Sequence, residues 1–387
     1  MNFSLSEDHL VLRQSARTFL EKEISLQRVL VPGATVEDAS YDANWGKIVA
    51  MGWPALIVSE EHGGLGLSCI DLAMILGEMG RCLAPSPFLG TLLGTWAIER
   101  GGSAEQKGRL LPRIAAGELK LALAIADSTG ATDGPSRECA ARRDRLTGVK
   151  SLAIDAAAAD LLVCAAQDGT TGGRAFFLVD VRQPGVQVDL LPWRDVTRQV
   201  ADVRLQGAVG ERLAMDDAKL WPWLRDRVLL ALAVENAAGA QRVMEMTVEY
   251  AKERMAFGRP IGAYQVIKHS LADMLGQVEC CNVSVLHAAW ALSENAPESP
   301  KAAAIAKAYT SDAYCAITQR SIQIFGAIGF TWEMANHLYF KRARANAELF
   351  GNSRSQRARL MDMVTKRPPP AALAPGNGVA VGGSQTR

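Results

Sequence analysis

A single carboxylate interrupts one of the most apolar stretches of the chain. The segment from Leu229 to Val243 reads LLALAVENAAGAQRV, and Glu235 is its only acidic residue. On a helix of 3.6 residues per turn, Glu235 falls on the same stripe as Leu232, Gly239 and Val243. Burying a carboxylate without a partner costs several kcal/mol, so the residue needs an explanation.

Two interpretations of Glu235 are open. A carboxylic acid in an apolar pocket has a raised pKa and can serve as a general base. A carboxylate in the same place can instead be a structural partner of an arginine on a neighbouring helix. Periodicity alone favours the structural interpretation. Separately, Gly239 lies one turn further on and leaves room for another group to approach the helix backbone.

Composition and charge indicate an ordinary globular protein. The 387 residues include 42 basic and 41 acidic side chains, a balance that argues against nucleic acid as a partner. The seven cysteines form no CxxC pair and the five histidines show no ligand spacing, so we expect neither disulfides nor a metal site. No window has the length and apolarity of a membrane span and no signal peptide is recognisable, so we expect a cytoplasmic protein.

The hydrophobic period changes twice along the chain. Helical patterns dominate residues 1–118, short alternating or apolar runs typical of strands fill residues 119–214, and long helical patterns return over residues 215–366. Residues 367–387 are rich in proline and glycine, and we predict that they form a disordered tail. The predicted fold class is α+β, with an N-terminal helical domain, a middle β domain and a C-terminal helical bundle.

Two motifs carry a resemblance to a known family. The stretch YAKERMAFGRPIGAYQVIKHSLADM begins at Tyr250, and QIFGAIGFTWEMANHLYFKRA begins at Gln323. With the opening LSEDHLVLRQSARTFLEKE and the helix–β–helix order, they make the chain similar to the acyl-CoA dehydrogenase family of flavoproteins over nearly its whole length. The resemblance implies a barrel-like β domain, a C-terminal four-helix bundle, and assembly as dimers or dimers of dimers.

The resemblance also implies a cofactor, a reaction and partners. By this similarity, Arg254, Phe257 and Gln265 would hold the adenine and pyrophosphate end of an FAD bound mainly by the neighbouring chain, with help from Gln323 and Gly326. The family removes a proton α, and a hydride β, to the carbonyl of an acyl-CoA thioester. A carboxylate takes the proton, flavin takes the hydride, and an electron-transfer flavoprotein accepts the electrons.

The chain departs from the family pattern at the catalytic acid. Phe350 stands where most members carry the glutamate, and Val228 stands at a second known position of that acid. A branch that acts on steroid side-chain or bulky thioesters carries an acid at the place of Glu235 and has similar GFTWE and LFG segments. Many proteins of that branch are heterotetramers of unlike chains. The resemblance therefore makes Glu235 the candidate base.

The β domain departs from the pattern as well. Ala126, Asp127 and Ser128 replace the family's Thr-Glu-Pro, and the segment 152–154 (Leu-Ala-Ile) replaces its Trp-x-Thr beside the flavin ring. These changes suggest that the chain binds its own flavin ring poorly. Two functions stay open: a dehydrogenase subunit with Glu235 as base, or a non-catalytic chain that completes the flavin site of an unlike partner.

A basic run, KRARANA from Lys341, allows a further interpretation. It could contact a phosphate or coenzyme A, but a single cluster of charges on an exposed helix face needs no function. The exposed-face interpretation is favoured.

Overall fold

The N-terminal part of the chain is helical. The computed structural model describes residues 5–134 and 136–365, and the predicted tail at 367–387 lies outside them. The N-terminal helices are α1 (Glu7–Glu23), α2 (Tyr41–Ala50), α3 (Cys69–Arg81), α4 (Phe88–Gly101) and α5 (Ala104–Ala115). Ser6, Ser68 and Ser103 cap α1, α3 and α5 through their hydroxyls, which accept hydrogen bonds from backbone N–H groups of the first turn.

The middle of the chain forms a curled sheet. Its strands are β1 (Leu121–Ala124), β2 (Cys139–Arg142), β3 (Arg145–Ile154), β4 (Leu161–Asp168), β5 (Arg174–Asp180), β6 (Val186–Leu190), β7 (Val200–Val209) and β8 (Glu211–Arg212). The order along the sheet is β6-β7-β3-β2-β4-β5-β8, with β1 paired to β4. Most pairs are antiparallel, and β1 and β2 run parallel to β4. Irregular pairing of β3 with β7 near Lys150 adds curvature.

The C-terminal part is a helical bundle. It contains α6 (Asp217–Glu253), α7 (Gln265–Ser293), α8 (Ser299–Phe325), α9 (Asn336–Glu348) and α10 (Ser353–Thr365). A short hairpin of β9 (Met255–Ala256) and β10 (Arg259–Pro260) joins α6 to α7. Helix α8 packs against α6, α7, α9 and α10. The predicted α+β fold, with its helix–β–helix order, is confirmed.

One hydrophobic core continues through all three parts. It contains Trp96 of α4, Ile154 of β3, Phe176 of β5, and Leu224 and Val228 of α6. The junction between the β sheet and the two helical parts is therefore closed by side-chain packing. Within residues 5–134 and 136–365, no helix combines the length and apolarity needed to cross a membrane.

Candidate functional site

Helix α6 holds Glu235 at the centre of the molecule. The 37-residue helix is buried along most of its length, and α3 approaches it so closely that a Cβ added to Gly80 would lie 2.7 Å from the Cα of Glu235. One turn further on, Tyr314 of α8 occupies the space beside Gly239. The room that Gly239 leaves is thus used by packing between helices.

The Glu235 carboxylate is bound to an arginine from the β domain. Arg198, in the loop between β6 and β7, donates from one guanidinium nitrogen to both carboxylate oxygens, at 2.6 and 2.7 Å. The amide of Asn346 donates to the same carboxylate at 3.3 Å, and Arg342 lies 3.7 Å away. Glu235 is 5% exposed and Arg198 is 4% exposed. The pair is therefore a buried, hydrogen-bonded salt bridge.

A second buried ion pair adjoins the first. Arg342 of α9 pairs with Asp195 and also donates to the carbonyl and hydroxyl oxygens of Thr197, at 3.0 and 2.6 Å. Burial alone would raise the pKa of Asp195, but Arg342 and the Thr197 hydroxyl hold it below its ordinary value. The Tyr41 hydroxyl extends this network into the N-terminal helices because it donates to the Thr197 carbonyl at 3.2 Å.

In this geometry the Glu235 carboxylate is poorly placed to act as a general base. A general base must present a lone pair to the proton that it removes. Arg198 engages both oxygens of Glu235, and only 5% of Glu235 is exposed. The structure supplies the arginine partner that the structural interpretation requires, although it comes from a loop of the β domain rather than from a helix. Catalysis by Glu235 stays a prediction, and the contacts count against it.

Asp155 is a buried acid that the sequence analysis did not single out. It ends the β3 run with a positive φ of 60°, is 1% exposed, and accepts a hydrogen bond from the Gly90 N–H at 2.9 Å. Its other carboxylate oxygen has no partner among the described residues. Burial raises the pKa of Asp155 to about 7. A lone acid at a strand end carries no periodic signal by which the sequence would reveal it.

The β-domain positions that the resemblance relates to the flavin ring are occupied by contacts within the chain. The Asp127 carboxylate accepts from Lys150 at 2.6 Å and from the Arg137 N–H at 3.0 Å. Ser128 donates through both its N–H and its hydroxyl to Glu138, at 2.7 and 2.6 Å. These side chains do not fit a hydrogen-bonding edge for an isoalloxazine ring.

The hairpin after α6 presents two of the predicted cofactor residues to solvent. Arg254 ends the helix, and its carbonyl accepts from the Ile261 N–H at 2.8 Å, which closes the hairpin. Phe257 stands at the tip with a φ of 51° and is 97% exposed. Tyr264 braces the hairpin because its hydroxyl donates to the Ala256 carbonyl at 3.0 Å while its ring lies under Arg259.

The other predicted cofactor residues lie at the same end of the bundle. Gln265 begins α7, and Gln323 lies in the last turn of α8, which Gly326 follows with φ 69° and ψ −145°, a conformation that favours glycine. Tyr250 joins the two helix ends: its ring stacks on Phe325 at 4.1 Å, and its hydroxyl donates to the Phe325 carbonyl at 3.3 Å. We call residues 254–265 and 323–326 the clasp.

The clasp fits the phosphate and adenine end of a flavin. Arg254 offers an exposed fork of donors, Phe257 an exposed ring, and the space beside Gly326 is open. The same bundle also exposes apolar side chains on α7 and α8, namely Val266, Leu275, Val283, Ile305 and Tyr309. Ile305 and Tyr309 are one turn apart on α8, so their exposed side chains lie side by side, and adjoining exposed apolar side chains are typical of a surface that packs against another chain.

Comparisons with protein families and with individual proteins agree on one family. Residues 6–118 match the N-terminal domain, and residues 227–365 the C-terminal domain, of acyl-CoA dehydrogenases. The acyl-CoA dehydrogenase IpdE2 of Mycolicibacterium smegmatis is 31% identical over 358 residues, which cover 92% of this chain and 98% of the relative. The described residues thus carry the fold and the domain matches of flavin-dependent acyl-CoA dehydrogenases.

Two solved structures that contain unlike chains superpose well. The ChsE4–ChsE5 complex from Mycobacterium tuberculosis has a TM-score of 0.86 and 25% identity, with 95% of this chain and 100% of the other covered. A variant of the Tcur3481–Tcur3483 steroid ACAD has a TM-score of 0.82 and 27% identity, with 94% and 99% covered. The chain belongs to the acyl-CoA dehydrogenase family, whose cofactor is FAD, and the predicted resemblance to its steroid-type branch is confirmed.

Proposed function

We propose that this chain is one subunit of an FAD-dependent acyl-CoA dehydrogenase that works together with an unlike dehydrogenase-like chain. The reaction is α,β-desaturation of a bulky, steroid-derived acyl-CoA thioester, with an electron-transfer flavoprotein as electron acceptor, in the cytoplasm. The substrate class is supported by the steroid ACAD among the similar structures, and the unlike partner by the two-chain complexes.

The Arg198–Glu235 ion pair is the main observation that supports a non-catalytic role for this subunit. The pair ties the candidate base, Glu235, into a buried salt bridge. The clasp, in contrast, is exposed to solvent on another part of the bundle. The sequence leaves two functions open, a catalytic subunit and a non-catalytic chain, and the ion pair favours the non-catalytic chain. This chain completes the flavin site of its partner, and the partner supplies the proton-accepting carboxylate.

The clasp residues have separate tasks in this proposal. Arg254 donates charge-assisted hydrogen bonds to the flavin pyrophosphate, and Phe257 covers the adenine with an apolar surface. Gln265 and Gln323 offer amide hydrogen bonds, and Gly326 lets the backbone approach. FAD supplies the two-electron redox chemistry when it is bound. The exposed side chains of Ile305 and Tyr309 on α8 pack against the unlike chain, so that each clasp reaches across the interface.

Flavin content tests the proposal. The chain is purified alone and after co-expression with an unlike dehydrogenase-like chain, sought first in the neighbouring gene, and FAD is released and counted per chain. We expect the complex, but not the isolated chain, to hold FAD. Arg254→Gln should weaken FAD binding by roughly tenfold to a hundredfold, since a charge-assisted hydrogen bond contributes about 1.5–3 kcal/mol.

Arg354→Gln is the matched control, because Arg354 is an exposed arginine of α10 that is remote in sequence from the clasp. Its FAD content should equal that of the unsubstituted complex. Full FAD occupancy of the isolated chain, or unchanged binding in the Arg254→Gln complex, would overturn the shared-site proposal.

A further inference from the structure

Two arginines lie against one tryptophan near the start of α6. The guanidinium of Arg227 folds back over the ring of Trp223, one helical turn earlier, and lies 3.5 Å from the ring centre. The guanidinium of Arg100, in the last turn of α4, lies 5.5 Å from the centre of the same ring. We call Arg100, Trp223 and Arg227 the arginine–tryptophan cluster. A helix rises about 1.5 Å per residue, so the cluster lies about 40 Å from the clasp along α6.

Arg227 differs from the other buried arginines of the described residues because it has no carboxylate partner. Arg198, Arg227 and Arg342 are 4%, 7% and 2% exposed. Arg198 is paired with Glu235, and Arg342 with Asp195, so the sequence interpretation of the KRARANA run as a solvated helix face is wrong for Arg342. Among the residues that the structure describes, no carboxylate lies within 4 Å of the Arg227 guanidinium. Buried arginines are almost always paired, so this one needs an explanation.

Backbone carbonyls compensate the charge of Arg227 only in part. Its Nη1 donates to the Trp223 carbonyl at 3.4 Å, and its Nη2 donates to the carbonyl of Leu292, in the last turn of α7, at 3.3 Å. Both distances are longer than those of an ordinary hydrogen bond, and a helix C-terminus carries only about half a negative charge. Asp226, the preceding residue of α6, is bound to Arg359 instead. The positive charge of Arg227 is therefore not neutralised by its described neighbours.

The second cation adds to this charge and is open to solvent. Burial lowers the pKa of Arg227 to about 10, and the charge of Arg100 acts in the same direction. Arg100 is exposed and Trp223 is half-buried, so an ion can reach the cluster from solvent. A guanidinium contacts an aromatic ring through its face, which leaves the N–H groups at its edge for other partners. An anion is the partner that such a cluster fits.

We propose that the arginine–tryptophan cluster binds a small oxyanion, either inorganic phosphate or the carboxylate of a small organic acid. Both present oxygen atoms that match the paired N–H groups of a guanidinium. Because α4 and α6 each contribute one of the cations, the bound anion joins these two helices and stabilises the folded chain. The cluster shares no residue with the clasp, so the site stands whether or not the clasp holds flavin.

Thermal denaturation of the full chain at constant ionic strength tests the site. Sodium chloride is replaced stepwise by sodium phosphate or by sodium acetate, and titration calorimetry with the same two ions gives the affinity. An ion that binds only the folded chain should raise Tm by about 1–2 °C at ten times its Kd. General salt effects act on every variant alike, so the variants separate them from binding. A larger response to phosphate identifies the inorganic ion as the ligand, and a larger response to acetate identifies a carboxylate.

Arg100→Ala should weaken binding by about tenfold or more, because charge-assisted hydrogen bonds are lost. Arg227→Met should weaken it as well, and the exposed position of Arg100 keeps the test decisive if the buried substitution prevents folding.

Arg113→Ala is the matched control. Arg113 is also an exposed arginine in the last turn of a helix, the neighbouring α5, but its guanidinium lies 3.4 Å from the carboxylate of Glu118. Its variant should bind as the unsubstituted chain does. Absence of binding for both ions, or an equal affinity in Arg100→Ala and the unsubstituted chain, overturns the site.

Discussion

The guanidinium of Arg198 and the carboxylate of Glu235 form a buried salt bridge between the β sheet and the longest helix of the bundle, with both N–O distances below 2.8 Å. Helices α3 and α8 close around this pair, and Asn346 of α9 binds both of its members. The pair therefore fixes the sheet to the bundle at the point where the family resemblance would otherwise place a base.

Removing one member of this pair should destabilise the fold strongly. Arg198→Met leaves the Glu235 carboxylate buried without its main partner, and we expect a loss of about 3–5 kcal/mol in the free energy of unfolding by urea denaturation. The double variant Arg198→Met/Glu235→Leu should lose much less, because no buried charge is left over. The exposed pair Arg204–Asp189 is the control, and Arg204→Met should cost about 0–1 kcal/mol. An equally small loss for Arg198→Met would show that the buried pair is not structural.

The close approach of α3 to α6 gives a second prediction. In Gly80→Ala the new Cβ meets the α6 backbone at Glu235, so the helices must separate, at a cost of about 1–3 kcal/mol of stability. Gly108→Ala is the matched control, since Gly108 also lies in a helix, α5, but has open space around it. Thermal denaturation should show a lower Tm for the first variant and an equal or higher Tm for the second. Equal Tm values for the two variants would mean that the α3–α6 contact is not tight.

Asp155 should make stability depend on pH. Its folded pKa of about 7 lies above the value of about 3.9 in an unfolded chain, so the folded state binds the proton more tightly. The resulting stability is fully present below pH 4 and is lost as pH rises through 7, by up to about 4 kcal/mol. Asp155→Asn keeps an acceptor for the Gly90 N–H and removes the titration. Urea denaturation at pH 5.5 and 8 should show a smaller decrease in this variant than in the unsubstituted chain, and an identical decrease would contradict the assignment.

Tyr250 should control the shape of the clasp. Its stack on Phe325 holds the end of α6 against the end of α8, and such an aromatic pair contributes about 1 kcal/mol. Tyr250→Leu should weaken FAD binding by the heterocomplex by roughly fivefold, while Tyr250→Phe, which keeps the stack, should change it by less than about twofold. Flavin fluorescence titration measures both affinities. Equal losses in the two variants would assign the effect to the hydroxyl and not to the stack.

The sequence predicted the fold because its periodicities reflect burial. The change from a helical to a strand-like period near residue 119 agrees with the first strand at Leu121, and the stripe through Glu235 is buried as expected. Asn236, the neighbour of Glu235, is also fully buried, because α8 and α9 cover that side of the helix. Its amide donates to the hydroxyls of Thr310 and Ser311, and its carbonyl oxygen accepts from the Asn346 amide.

The partner of Glu235 could not be found from the sequence. Arg198 lies 37 residues earlier, in a loop between strands, and its approach depends on how the sheet docks on the bundle. Periodicity identifies which side chains point inwards but not which of them meet. For the same reason, the positions of Arg254 and Gly326 at one end of the bundle come from the Tyr250–Phe325 contact and not from any local pattern.

The most direct test of the central claim is the turnover number of the FAD-loaded heterocomplex carrying Glu235→Gln. The glutamine keeps the shape of the buried side chain but cannot accept a proton as a base. If the chain holds flavin for its partner while Arg198 and Glu235 only join the sheet to the bundle, kcat should stay within about threefold of the unsubstituted complex, far from the effect of about 10² to 10⁴ expected for removal of a general base. Because Arg198 loses its carboxylate partner, Tm should fall in this variant. A fall in kcat of that size, measured below this Tm and with FAD content unchanged, would make Glu235 the base and contradict a purely structural role.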